Sequence, residues 1–284
     1  MTFDDERIRH LTGDSERTSR ILIVGLGSGG FPVLQHIAMS GWRRFALVDP
    51  DTLDAKNLVK HPALRSDIGR HKVDIAADWL ADRIPGCEVE TYRQPIEEID
   101  GHQLRRLTEE SDYVVSATDS NAVRHFVNDL CITTTSPMSL GLVHRGGTGG
   151  TVLTYRPEST GCYACLESVA EGLDGLPSDT DLPVTGLEQE MVYGRGLKDY
   201  AAAGLSADIG LVAALHAQLT VAELLTLETG GTANLPQLEA SWLAVRIRFP
   251  DTWNWHVDEI RLPPIDGCVS CGKSVAPAAT RNSA

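Results

Sequence analysis

Two cysteine couples, Cys162-Tyr-Ala-Cys165 and Cys268-Val-Ser-Cys271, supply four thiols, the ligand set of a closed tetrahedral zinc site. Four protein ligands saturate the metal, so such a zinc would be structural rather than hydrolytic. If the couples share one metal, the second half of the chain is an excursion tied back at both ends. Redox chemistry is the other use of a C-x-x-C pair, but neither couple is expected at the start of a helix in a thioredoxin-like βαβ unit. Upstream, Gly25-Leu-Gly27-Ser-Gly29-Gly30 satisfies G-x-G-x-x-G between a strand and a helix. Glycines let the backbone approach phosphate, and a helix N-terminus offers unpaired N–H groups to an anion. Asp49, at the end of the next strand, is placed to bond a ribose hydroxyl. On this motif alone NAD, FAD and ATP are all open.

The elements that position these residues follow from hydrophobic patterning. Arg20–Val24 and residues 45–49 read as buried parallel strands, with a helical stretch over 31–39 between them. Val73, Ala76, Ala77, Leu80 and Ile84 recur at helical spacing before Pro85. Residues 89–92 and 112–118 read as a third and a fourth strand. This alternation implies a Rossmann-like, doubly wound, mostly parallel sheet. After Gly141 the texture changes. Residues 151–155 alternate as an antiparallel strand, and 166–200 read as a long exposed loop. A helix is expected over 207–227, then a hairpin from 242–249 and 253–260. The sheet is thus extended by antiparallel strands. Residues 1–19 read as an arm or a frayed first helix, and 273–284 as a loose tail.

The chain has 284 residues, 42% hydrophobic and 23% charged, with a formal net charge of −14. That balance argues against a nucleic-acid surface, which needs clustered Lys and Arg. The start, Met-Thr-Phe-Asp-Asp-Glu-Arg, has no apolar run of a secretory signal. The longest apolar stretch, 207–227, carries Asp208, His216, Gln218 and Glu223, so it reads as an amphipathic or buried helix rather than a membrane span. A reducing cytoplasm is expected, in which paired cysteines point to metal more than to disulfide.

The segment after Asp49 narrows the ligand. Asp49-Pro-Asp51 leads to Asn57-Leu58-Val-Lys60-His61 and then Asp67-Ile-Gly69-Arg-His-Lys72; Thr118-Asp119-Ser120-Asn121 follows, with Arg124 and Asn128 downstream. With the two cysteine knuckles, these motifs span residues 20–272 in the order of the ThiF/MoeB/HesA family, which the chain resembles. The resemblance implies ATP-dependent adenylation of a carboxylate, usually the C-terminal glycine of a ubiquitin-fold protein. By the same analogy Asp49 would hold the ribose, and Gly27 and Gly29 would line the phosphate approach, with Gly25, Gly30 and Asp51 also among the nucleotide-binding residues. Asn57, Lys60 and Lys72 would contact phosphates, and Asp119, with Ser120 beside it, would hold Mg²⁺. Cys162, Cys165, Cys268 and Cys271 would hold Zn²⁺. Taken singly, each has a plainer reading: Asp49 as a turn cap, Lys60 and Lys72 as solvated lysines, Asp119 as a helix cap.

The chain departs from the family pattern in three places. Lys60 and His61 stand where the family has Arg and Gln; lysine keeps the charge but loses the bidentate fork. The family's N-terminal arginine segment, which reaches the partner subunit's ATP, is represented only by Glu6-Arg7-Ile-Arg9-His10, with Arg17 beyond it. Residues 166–267 contain no cysteine, so a crossover-loop nucleophile is missing. The spare Cys87 and Cys131 look like core packing. The expectation is a single homodimeric adenylation domain. It would comprise an ATP-binding half (20–165), a crossover loop (166–200) and a carrier-facing half (201–272). Its partner would be a small ubiquitin-fold carrier ending in Gly-Gly, with a conjugating enzyme or sulfur donor downstream and no nucleic acid or membrane. A catalytically inactive scaffold, or an adenylating enzyme acting on a peptide, are the alternatives.

Overall fold

The computed structural model describes residues 6–13, 16–170, 204–231, 233, 235–236, 238–249 and 252–272. The expected loop over 166–200 and the tail after 272 fall almost entirely outside them. Helix α1 (Glu6–Thr12) precedes strand β1 (Arg20–Val24), helix α2 (Gly30–Met39) and strand β2 (Arg44–Val48). Helix α3 (Lys72–Arg83), strand β3 (Glu88–Tyr92), helix α4 (Gly101–Glu109), strand β4 (Tyr113–Ser116) and helix α5 (Asn121–Thr134) follow. Strands β5 (Met138–Val143) and β6 (Gly149–Tyr155) then lead to helix α6 (Tyr163–Ala170). Helix α7 (Ser206–Thr229) and the hairpin β7 (Trp242–Phe249) and β8 (Thr252–Ile260) complete the described elements.

All eight strands form one sheet, ordered β3-β2-β1-β4-β5-β6-β7-β8. The first five pair in parallel and the last three pair antiparallel. This is the expected doubly wound sheet with its antiparallel extension. β1 shows why the central strands are continuously apolar. Leu22 and Val24 face the core under α4, α5 and α6, whereas Ile21 and Ile23 face the core under α2, α3 and α7. With both faces covered, no position in the strand can be polar without a partner.

β5 was not anticipated, because Ser139 and Gly141 interrupt its apolar run. Tertiary contacts with α7 account for both. The Ser139 hydroxyl is buried but meets His216 Nε2 at 2.9 Å and Thr220 Oγ1 at 2.7 Å. A Cβ at Gly141 would stand 2.3 Å from His216 Nδ1, so only glycine fits. α4 was likewise unassigned; Asp100 caps it by accepting from the His102 and Gln103 N–H groups.

Among the described residues α7 is the one helix long and apolar enough to cross a membrane, yet 61% of its apolar window is buried inside the protein. It packs against α2, β5 and β6 and buries Asp208, His216 and Glu223 with partners. Arg156 takes Glu223, and Arg248 takes Asp208 at 2.8 Å. These buried, paired polar groups mark a core helix, as its sequence suggested.

The end of α7 is fastened to the first strand by one carboxylate. Glu228 Oε1 accepts from the Thr18 N–H (3.1 Å), the Ser19 N–H (3.0 Å), the Ser19 hydroxyl (2.6 Å) and Trp42 Nε1 (3.0 Å). Arg17 stands 3.9 Å from Oε2 and stacks over the Trp42 ring. An acidic residue opposes the dipole at a helix C-terminus, so the donors it gathers must outweigh that cost. Glu228→Ala strands several of these donors, Trp42 Nε1 among them, and is expected to lower stability by about 3 kcal/mol in urea unfolding. A loss below about 0.5 kcal/mol would mean that water substitutes for the carboxylate.

Candidate nucleotide site and cysteine cluster

A cleft of about 580 Å³ opens at the C-terminal ends of β1, β2 and β4, where ligands bind in doubly wound sheets. Its floor is the turn between β1 and α2. Gly25 has φ +92°, and a Cβ there would stand 2.7 Å from the Ala117 carbonyl oxygen, so this position admits glycine alone. Cβ atoms at Gly27 and Gly29 would meet nothing within 4 Å, so the space before the turn stays open for a ligand. Gly30 is different: it does not line the cleft, and its Cβ would lie 2.0 Å from the Gly25 carbonyl oxygen. Its role is to let α2 close onto β1 rather than to approach a phosphate.

Leu26 is the fixed point of the turn. Its N–H donates to Asp49 Oδ2 at 2.6 Å and its carbonyl accepts from His61 Nε2 at 2.9 Å. His61 Nδ1 in turn accepts from the Ala63 N–H at 3.1 Å, which makes the ring the neutral Nε2–H tautomer. Burial holds the His61 pKa below the ordinary histidine value, in keeping with that neutral state. The departure from the family's glutamine is thus a buried strut, a role that its residue type alone did not suggest.

Asp49 is 4% exposed, and its second oxygen accepts from the Asp51 N–H at 2.9 Å. Burial pushes its pKa up, against the opposing pull of Lys72 and of the two backbone donors. Lys72, the first residue of α3, is buried and places Nζ 2.6 Å from Asp51 Oδ2 and 4.0 Å from Asp49 Oδ1. A cation at a helix N-terminus opposes the dipole, so the two carboxylates must hold it there. That placement excludes the solvated-lysine reading. Lys60 lies across from Asp119. Burial lowers its pKa from the ordinary lysine value, Asp119 works against this, and Lys72 adds to it.

Other expected residues have local duties as well. Asn57, which lines the cleft, accepts at Oδ1 from the Asp54 N–H and closes a capping box. Ser120, not Asp119, caps α5: its hydroxyl accepts from the Val123 N–H. Arg124, one turn on, donates from Nε to the Thr118 carbonyl at 3.1 Å and lines the cleft. Gly25, Gly27, Gly29, Asp49, Asp51, Asn57, Lys60, Lys72, Asp119 and Ser120 therefore all meet in one cavity. His144 and His216 join them from β5's end and from α7; no local pattern marked either one.

The four cysteines of the two couples converge. Their sulfurs all lie within 4.8 Å of one another, with Cys162–Cys165 at 3.9 Å, Cys162–Cys268 at 3.7 Å and Cys165–Cys271 at 3.4 Å. Sulfurs about 2.3 Å from a tetrahedral zinc would stand about 3.8 Å apart, so the set fits a metal ion. The Ile265 N–H points at Cys165 Sγ (3.4 Å), an outer contact typical of metal thiolates. Cys162 immediately precedes α6, so the first couple sits at a helix start, though not in a thioredoxin-like βαβ unit. The helix follows an antiparallel strand, however, and each of its cysteines is nearer a sulfur of the other couple than its own partner.

Comparison with known proteins gives the same picture. The ThiF family model matches residues 7–268. The molybdopterin-synthase adenylyltransferase of Escherichia coli is 35% identical over 152 residues, covering 53% of this chain and 59% of that protein. The SAMP-activating enzyme E1 of Haloferax volcanii is 30% identical over 172 residues, covering 60% and 61%. The adenylyltransferase and sulfurtransferase UBA4 of Lodderomyces elongisporus is 30% identical over 171 residues, covering 60% and 37%. The chain thus spans less than two thirds of each relative's length. Crystal structures of Escherichia coli MccB share the fold: the complex with ATP has a TM-score of 0.64 at 20% identity, over 92% of this chain and 69% of that one. A glycine turn fastened by Asp49, a lysine buried between two aspartates and a four-sulfur cluster are thus carried by a chain that belongs to the ThiF family.

Proposed function

We propose that this chain uses ATP and Mg²⁺ to adenylate the C-terminal carboxylate of a small ubiquitin-fold or sulfur-carrier protein. The observation that carries this reading is the buried Lys72, held between Asp49 and Asp51 in a cleft that also contains Lys60 and Asp119, in a ThiF-family chain. In the reaction a carboxylate oxygen attacks the α-phosphorus, the bond to the bridging oxygen breaks, and pyrophosphate leaves. The attacking carboxylate is already ionised at neutral pH, so no general base is required. Catalysis then rests on positioning and charge stabilisation.

Asp49 would take the ribose, with Asp51 beside it. Lys72 would exchange its contact with Asp51 for a phosphate oxygen, joined by Lys60 and Asn57. Asp119 is suited to Mg²⁺, which when bound would offset phosphate charge. The carrier's body would rest on the second half of the chain. There β8 exposes Trp253 and Trp255, stacked at 5.4 Å, and Arg248, over the Trp253 ring, donates to the Gly146 carbonyl at 2.6 Å. We take residues 20–272 as one adenylation domain, active as a homodimer, with any trans-acting arginine drawn from residues 1–19 or from another chain.

The reading ends at the adenylate, with an outside thiol or amine as acceptor. Burial pushes the Cys87 thiol up to about 11 and that of Cys131 higher still, so neither is a thiolate at neutral pH. The other four cysteines form the metal cluster.

Purified protein with its cognate carrier is expected to catalyse ATP–pyrophosphate exchange. Lys72→Ala should reduce exchange about 100-fold or more while leaving carrier binding intact. Exchange undiminished in that variant would overturn the role of Lys72, and none in the wild type would favour the scaffold alternative. Non-reducing gels should show no thiol-sensitive carrier–enzyme adduct; an adduct lost in Cys87→Ser would contradict an adenylate-only enzyme. Elemental analysis should find one zinc per chain, lost in Cys162→Ser together with stability.

A further inference from the structure

Contacts along one stripe of α5 run from the α6 segment that follows Cys162 to the helix's first turn, which lines the nucleotide cleft. Tyr163, between the two cysteines of the first couple and 1% exposed, donates its hydroxyl to Asn121 Oδ1 at 2.6 Å. Its backbone N–H donates to Asn128 Oδ1 at 2.8 Å, and Asn128 is fully buried. Between these two points the His125 ring lies 5.0 Å from the Tyr163 ring, and His125 Nε2 stands 2.8 Å from Glu167 Oε2 on α6. Glu167 Oε1 also accepts from Asn121 Nδ2 at 3.3 Å. Residues 121, 125 and 128 are spaced to share one face of α5, and residues 163 and 167 one face of α6.

Asn121 is the first residue of α5. The cap Ser120 and the cleft carboxylate Asp119 directly precede it, and Arg124 follows on the same turn. A helix N-terminus frays unless its first turn is tied down, and the Ser120 cap bond to Val123 is long at 3.4 Å. A 2.6 Å side-chain bond to this turn comes from Tyr163, which stands between Cys162 and Cys165 of the sulfur cluster.

We propose that Tyr163 is a positioning residue for the nucleotide site: it fixes the first turn of α5, and with it Asp119 and Ser120, relative to the four-sulfur cluster. This rests on the adenylation reading for its functional consequence but not for its geometry. A metal held by the four sulfurs fixes Cys162 and Cys165, these fix Tyr163, and Tyr163 fixes Asn121. Occupancy of the cluster then governs nucleotide affinity although no cysteine touches the nucleotide.

The test is Tyr163→Phe, which keeps the ring against His125 and removes only the hydroxyl. Amide hydrogen exchange is expected to speed up about 10-fold at Val123 and Arg124, with zinc content unchanged. In ATP–pyrophosphate exchange the KM for ATP should rise about 5-fold while kcat changes less than 2-fold. Chelating the metal from the wild type should speed exchange at the same two amides, and chelation should add little at those amides in Tyr163→Phe. Unchanged protection at Val123 and Arg124 in the variant, or equal effects of chelation in both proteins, would overturn the proposal. The amide measurement needs no ATP turnover, so absence of pyrophosphate exchange in the wild type would count against the adenylation reading alone.

Discussion

The buried carboxylate of Asp49 is the constraint on which the site depends. A glycine turn open enough to admit phosphate is also flexible, and flexibility works against catalysis by positioning. Asp49 resolves this by accepting from the Leu26 N–H, while His61 holds the Leu26 carbonyl from the other side. The same carboxylate stands 4.0 Å from Lys72 Nζ, so one aspartate both fastens the glycine turn and stations a buried cation at the cleft. Replacing it would disturb both at once, which makes Asp49 a poor residue for separating binding from folding.

The second half of the chain is joined to the first at three kinds of contact. The continuous sheet runs from β4 through β5 into the antiparallel strands. Glu228 ties the end of α7 to the start of β1. The sulfur cluster ties 268–271 to the segment after β6. Together these keep α7 against β5, which is how His216, with Ile209, Val212 and Ala213, reaches a cleft otherwise built by the first half. The cysteines, the most conspicuous chemistry in the sequence, act at a distance from the nucleotide cleft as a clasp.

Legibility in the sequence followed how local the cause was. β1 was readable because its continuous apolar run reports burial on both faces, and α3 because its apolar positions recur at helical spacing. β5 was not, because Ser139 and Gly141 make sense only once His216 and Thr220 arrive from 77 and 81 positions away. That these residues meet in one cleft was legible from ordered motifs, but their local contacts were not. Gly30 packs rather than binds, Ser120 rather than Asp119 caps α5, and His61 is a strut. The helix start at Cys162 was missed because α6 has little amphipathic pattern of its own; its placement is set by contacts with α5.

Isotope transfer tests the central claim most directly. A carrier whose C-terminal carboxylate is labelled with ¹⁸O is turned over with ATP, Mg²⁺ and a thiol or amine acceptor, and the AMP is analysed by mass spectrometry. Attack of the carboxylate on the α-phosphorus predicts one ¹⁸O atom in each AMP released. Unlabelled AMP, or release of ADP and phosphate instead, would contradict the account.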